Sequence, residues 1–158
     1  VALALAKTVQ NWLVDHEVEF ELLAHPRSYT SVDSAHAAHV PEDHVAKAVV
    51  LHDAGGFVLA VIAGDSLLKL ETLCSLLDRE LEMADEDDID AVFEDCQPGA
   101  IPPLGPAYRL ETVADPALQS LARVYFEAGD HEVLVSVDGA DFRRLLAGVR
   151  WEHIAHPR

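Results

Sequence analysis

The chain has 158 residues, half of them hydrophobic, enough for one domain with a buried core and unlike a disordered chain. Eleven Lys and Arg stand against 28 Asp and Glu, a formal net charge of −17. That excludes the broad basic footprint of a nucleic-acid binder and leaves only a local positive patch for such a partner, although an acidic surface is equally what salt adaptation produces.

No apolar run approaches the ~18 residues of a membrane span, so no membrane is expected. Cys74 and Cys96 form neither a disulfide framework nor a CxxC metal site, which fits a reducing cytoplasm. The apolar start Val1 to Ala6 lacks a basic leading region and is not expected to be a signal peptide.

Residues 2–15 are predicted to be a helix, because Leu5, Val9, Trp12 and Leu13 fall at helical spacing. Residues 18–23 alternate, with Val18, Phe20 and Leu22 against acids, and predict a strand that His25-Pro26 ends. Thr30-Ser31-Val32-Asp33 matches a capping box and predicts a helix over about residues 31–39. The Val-rich runs 45–53 and 57–63, joined through Ala54-Gly55-Gly56, predict a β-hairpin. Leu67, Leu70, Cys74, Leu77 and Leu81 share one helical face, with a start at Asp65 or Ser66.

The acidic run 85–90 lacks the glycine and the terminal glutamate of a calcium loop. With Ile89, Val92 and Phe93 it reads as a helix start, where carboxylates meet the favourable end of the dipole. A strand over 107–113, a turn or short helix opened by Asp115-Pro116 and a second hairpin over 123–127 and 132–137 follow. Asp138 then looks like an N-cap for a last helix buried through Phe142, Leu145 and Leu146, and a strand over 149–154 closes the chain. Hairpins with helices between them predict a mixed, largely antiparallel α/β domain over residues 1–158.

Two features stand out chemically. Residues 97–105, Gln-Pro-Gly-Ala-Ile-Pro-Pro-Leu-Gly, put three prolines and two glycines in nine positions. That is a stiff loop whose backbone N–H groups can approach a ligand without a side chain in the way. A rigid connection between elements is the plainer reading of the same composition. Lys47 is the only Lys or Arg between positions 28 and 68, and as part of a strand it shares a face with Val45, Val49 and Leu51. A lysine there snorkels, pairs with an acid or meets an anion in a pocket.

From His25 to Leu146 the chain resembles the YbaK/prolyl-tRNA-synthetase-associated domain family. The resemblance is carried by His25-Pro26 with Tyr29-Thr30, by Val45-Ala46-Lys47-Ala48-Val49-Val50, and by Gly99-Ala100-Ile101-Pro102-Pro103-Leu104-Gly105. It implies a single α/β domain with a curved, mixed sheet surrounded by helices. It also implies a trans-acting deacylase that hydrolyses the ester of mischarged tRNA in the cytoplasm, without metal or cofactor. Lys47 would hold the terminal phosphate region, and the backbone of Gly99 and Ala100 would place the 3′-terminal adenosine and polarise the ester carbonyl. His25, Thr30, Pro102 and Gly105 are further substrate-binding candidates, with Val32, Ala35, Ile62 and Ile101 for a small apolar amino-acid pocket. Mischarged tRNA is the implied partner, an aminoacyl-tRNA synthetase a further candidate, and no DNA partner is expected. The alternative is a silent domain of the same fold that binds a nucleotide-like or amino-acid-like ligand in a signalling protein.

Other candidates carry less. His36, His39 and His44 have a spacing zinc could use, but no cysteine or acid completes a ligand set. Cys96 lies beside the loop without a neighbouring base to activate it. Lys69, Arg109 and the Arg143-Arg144 pair are the cations available to line one rim for an acceptor stem, the last pair being most simply a solvated face.

Overall fold

The computed structural model describes residues 5–28 and 30–158. Tyr29 and the start of the first predicted helix, residues 2–4, lie outside the described residues. Helix α1 (Lys7–Asp15) buries Val9 and Leu13, and strand β1 (Phe20–Ala24) follows. Helix α2 (Ser31–Ala38) begins where the capping box places it, with Thr30 Oγ1 accepting the Asp33 N–H at 3.0 Å. Strands β2 (Ala46–Asp53) and β3 (Gly56–Ala63) form the predicted hairpin, in register from Ala46–Ala63 to Asp53–Gly56.

The chain continues through β4 (Ser66–Leu68), α3 (Leu70–Leu77), β5 (Glu82–Met83) and α4 (Glu86–Val92). Asp85 caps α4 by accepting the Asp88 N–H at 2.8 Å, so the acidic run is a helix start. Then come β6 (Glu111–Ala114), β7 (Arg123–Glu127), β8 (Val133–Asp138), α5 (Gly139–Leu145), β9 (Arg150–Trp151) and β10 (Ala155–Pro157).

The strands form a five-stranded mixed sheet in the order β5-β2-β3-β6-β9, a three-stranded antiparallel sheet β1-β8-β7, and a two-stranded ribbon β10-β4. Among the strand pairs of the described residues, only β3–β6 and β6–β9 are parallel. A bridge between Val45 and Tyr125 links the start of β2 to β7 and so joins the two larger sheets. Strand β3 is buried on both faces. Leu59, Val61 and Ala63 join a core with Val9, Leu13, Phe126, Val135, Phe142 and Leu145, which α1, α5 and the smaller sheet cover. Val58, Ala60 and Ile62 join a second core with Leu51, Leu73, Val113 and Ile154 under α3. A strand covered on both sides reads as a continuous apolar run, as residues 57–63 do.

Four expectations need correction. Ser66–Leu68 is a strand, not a helix start, because its backbone pairs with Ala155–Pro157, and α3 stops before Leu81 at Asp78, whose φ is +51°. The strand expected over 107–113 is reduced to Glu111–Ala114. Pro106 opens a 3₁₀ turn over Gly105–Tyr108, and Arg109, at φ +58°, ends it. Asp138 stands at the N-cap of α5 with no capping bond, because its carboxylate accepts from Arg123 Nη1 at 2.9 Å. The closing strand is split into β9 and β10: Asp115 Oδ2 accepts the N–H groups of both Ile154 and Ala155 at 3.0 Å and holds the chain out of the ladder between them.

Candidate functional site

The glycine/proline loop is clamped to the connection after β7. Gln97 donates its N–H to Gly129 O at 2.9 Å, Gly129 donates to Ala100 O at 3.0 Å, and Ala100 donates to Gln97 O at 3.0 Å. Ala100 is fully buried and its N–H is spent in this turn. Gly99 is exposed at the tip with φ +83°, a conformation other residues rarely adopt. Among the described residues the N–H groups of Gly99 and Ile101 have no acceptor, which leaves both as free donors on the cavity side of the loop.

Beside them lies a cavity of about 360 Å³, lined by Pro98, Gly99 and Ile101 of the loop, by Glu86, Ile89 and Asp90 of α4, and by His131. His131 was not foreseen from the sequence. It is 1% exposed, and its Nε2 lies 2.5 Å from Pro98 O. A carbonyl only accepts, so Nε2 carries a proton. A Cβ at Gly99 would stand 3.3 Å from the ring's Cε1, so ring and loop touch. The floor is apolar and the rim acidic.

Lys47 is placed elsewhere. It stands opposite Ile62 on the β2–β3 face that carries the α3 core, and its Nζ donates to Gly64 O at 3.2 Å. Burial lowers its pKa below that of an ordinary lysine, Arg158 adds to the effect, and Asp65 opposes it. Gly64 is pressed between other elements, since a Cβ there would meet Glu42 O at 2.8 Å and Ser31 Cβ at 3.3 Å. The first turn of α2 therefore adjoins the glycine that anchors Lys47. Three residues on, about 4.5 Å along the helix axis, Ser34 Oγ donates to Glu127 Oε1 at 2.6 Å. Glu127 Oε2 is 3.9 Å from His131 Nδ1. One turn of α2 thus connects the lysine anchor to the back of the Gly99 cavity.

The remaining candidates distribute around this frame. Thr30 is the cap of α2 and is exposed, and Val32 is half-buried on the same helix. Ala35 and Ile62 are fully enclosed in packed regions and do not line the cavity. His25 is buried, with Nδ1 2.7 Å from Pro26 O. Pro102 and Gly105, in the second half of the loop, are buried, and a Cβ on Gly105 would lie 1.7 Å from Thr112 Oγ1.

The set-aside residues have other duties. Burial pushes the Cys96 thiol up to about 12, with Tyr108 opposing and Asp95 reinforcing. His36 pairs with Glu42 and His44 with Asp43, and among the described residues no three side chains of metal-binding type come together. No helix of the described chain is long and apolar enough to cross a membrane.

Comparison with known proteins agrees with this frame. A family profile described as an aminoacyl-tRNA editing domain matches residues 25–145. The chain belongs to that family. No curated protein matches it. Among solved structures, a candidate trans-editing enzyme for prolyl-tRNA synthetase is 20% identical, with a TM-score of 0.82 over 98% of this chain and 99% of that one. A hypothetical protein of known structure is 20% identical, with a TM-score of 0.81 over 95% and 100% of the two chains. A candidate signal transduction protein from Marinobacter aquaeolei is 25% identical, with a TM-score of 0.75 over 96% of this chain but 31% of that longer one.

Proposed function

We propose that the protein is a trans-acting aminoacyl-tRNA deacylase that hydrolyses the ester of mischarged tRNA. The observation that carries this reading is the free N–H of Gly99 at the mouth of a small, apolar-floored cavity, in a chain of the editing family. The amino-acid side chain enters the cavity beside Ile101, Ile89 and the His131 ring. The ester carbonyl oxygen faces Gly99. Water adds to the carbonyl carbon, and the tetrahedral oxyanion accepts from the Gly99 N–H, a fixed donor that needs no reorganisation. The bond to the ribose oxygen breaks, the water proton ends on that oxygen, and free amino acid and tRNA leave. Lys47, which is linked to the cavity through Gly64, the first turn of α2, Glu127 and His131, takes the terminal phosphate region. The cavity discriminates by size at about 1–3 kcal/mol per methylene, which suits small side chains.

A second reading is favoured by the acidic rim of Glu86 and Asp90 and by the likeness to part of a longer signalling-type protein. In it the same cavity holds a small ligand with an amino group and performs no chemistry. Incubation with alanyl-, cysteinyl- and seryl-tRNA species at low and high salt, beside Lys47→Ala, separates the two. Ester loss dependent on Lys47 is expected. No loss from any species at either salt puts the ligand-binding reading first.

A further inference from the structure

Acid is in large excess in this molecule, and several of its cations are tied to carboxylates: Arg79, Arg123, Arg144 and Arg150 all stand in ion pairs. One place is built differently. The turn Gly64-Asp65 leads from β3 into β4, and its two adjacent carbonyl groups hold two segments that each carry a cation. Gly64 O accepts from Lys47 Nζ at 3.2 Å, and Asp65 O accepts the Arg158 N–H at 3.1 Å. The register of β10 on β4, with Pro157 opposite Ser66, delivers Arg158 to this turn. Lys47 is half-buried and Arg158 is exposed, so the pair faces solvent at one end.

We propose that Arg158 is the second cation of the Lys47 site, and that the two side chains together take one phosphate group of the bound RNA. The identity of that phosphate rests on the deacylase reading; the existence of the anion site does not. The charged groups that act on the lysine are Arg158 and Asp65. Arg158 adds to burial in lowering the pKa of the ammonium, and Asp65 opposes both. Among the described residues no carboxylate reaches ion-pair distance of either cation, Asp65 included. Two cations and one acid leave a single net positive charge at the turn, which the single charge of a phosphodiester cancels. Like charges placed side by side repel, and an anion between them turns that cost into a gain. The two heads are also complementary as donors. A guanidinium presents a planar fork that fits two phosphate oxygens, and an ammonium is a compact point charge.

Arg158 lies beyond residues 25–145, the span of the editing-family match. Its place beside Lys47 depends on the pairing of β10 with β4, which local periodicity does not announce.

The test follows the Lys47 Cε signal of the whole chain, labelled with ¹³C-lysine, in wild type, Arg158→Gln and Arg158→Lys, with Lys47→Arg for assignment. Glutamine keeps the backbone N–H that Asp65 O accepts, so it removes the charge and leaves the ribbon in place. The Lys47 midpoint is expected to rise toward the ordinary lysine value in Arg158→Gln and to return in Arg158→Lys. Inorganic phosphate at pH 8 is then the probe, against chloride at equal ionic strength. Phosphate is expected to displace the wild-type Lys47 signal, and Arg158→Gln to need about tenfold more of it, as loss of a charge-assisted contact requires. A midpoint identical in wild type and Arg158→Gln overturns the proposal, as does a displacement that chloride reproduces or that phosphate fails to cause. Deacylation is measured on the same samples. If wild type hydrolyses a mischarged tRNA, Arg158→Gln is expected to raise KM severalfold and to leave kcat within about twofold; an unchanged KM overturns the assignment of the anion to the RNA. If wild type hydrolyses none, the deacylase reading fails while the phosphate titration still decides the site.

Discussion

Lys47 illustrates how one side chain carries a prediction that composition cannot. Its depressed pKa means that the folded protein gives up the lysine proton below 10.5, the ordinary lysine value. The charged form is what a phosphate needs. Substrate binding should therefore weaken as pH rises through that lowered value, with KM climbing at a pH where an exposed lysine is still charged. Lys47→Arg should flatten the climb, since a guanidinium stays charged. A KM–pH series on both proteins checks it, and a flat wild-type profile up to pH 10 would count against an anion-binding role. The opposite expectation holds at Cys96. A thiol pushed up to about 12 is almost wholly protonated at neutral pH and makes a poor nucleophile. Cys96→Ala should hydrolyse ester at the wild-type rate within about twofold, which a single-turnover assay would show.

At the scale of elements, Asp115 ties distant parts of the chain together. Its buried carboxylate accepts from Ala117 N at 2.9 Å and from Ile154 and Ala155 N at 3.0 Å. Asp115→Ala would leave buried N–H groups without acceptors and should cost about 2–4 kcal/mol. Urea denaturation would show this as a lower midpoint at unchanged m, and a loss below about 1 kcal/mol would mean that water replaces the carboxylate.

The same residue shows what sequence reasoning reaches. The β2–β3 hairpin, α2 with its cap and α4 are written locally, in valine runs, a glycine pair and capping residues, and they were legible. The strand at Ser66–Leu68 and the split end of the chain depend on partners almost ninety residues apart, Leu67 with His156 among them, and local periodicity gives no sign of them. The candidate site divides the same way. Gly99 stood out because proline and glycine announce a special backbone. The spent N–H of Ala100 became visible only once Gln97 and Gly129 were placed around it, and His131 only once the loop it touches was in position.

The whole molecule sets the terms on which any tRNA is met. The net charge of −17 opposes a polyanion, and several cations are already engaged. Arg79 holds Asp53 and Glu111, Arg123 holds Asp138, and Arg144 holds Asp141. With Lys47 and two or three others outside these ion pairs to meet phosphate, log K should fall against log salt with a slope of about −2 to −3. Long-range repulsion makes the slope shallower still at low salt. Titration of labelled tRNA at several salt concentrations measures this, and a slope near −6 would reveal a basic surface that this account does not contain.

The most direct test of the central claim is the single-turnover hydrolysis of alanyl-, cysteinyl- and seryl-tRNA by wild type, Gly99→Ala and Lys47→Ala. Alanine at 99 is strained at φ +83° and crowds the His131 ring at 3.3 Å, so the N–H that faces the oxyanion shifts. On whichever ester wild type cleaves, Gly99→Ala should lower the rate at saturation by about 100-fold. Lys47→Ala should act chiefly through the concentration needed to saturate. A wild-type protein that cleaves none of the esters, or a Gly99→Ala variant that cleaves as fast as wild type, would contradict the account.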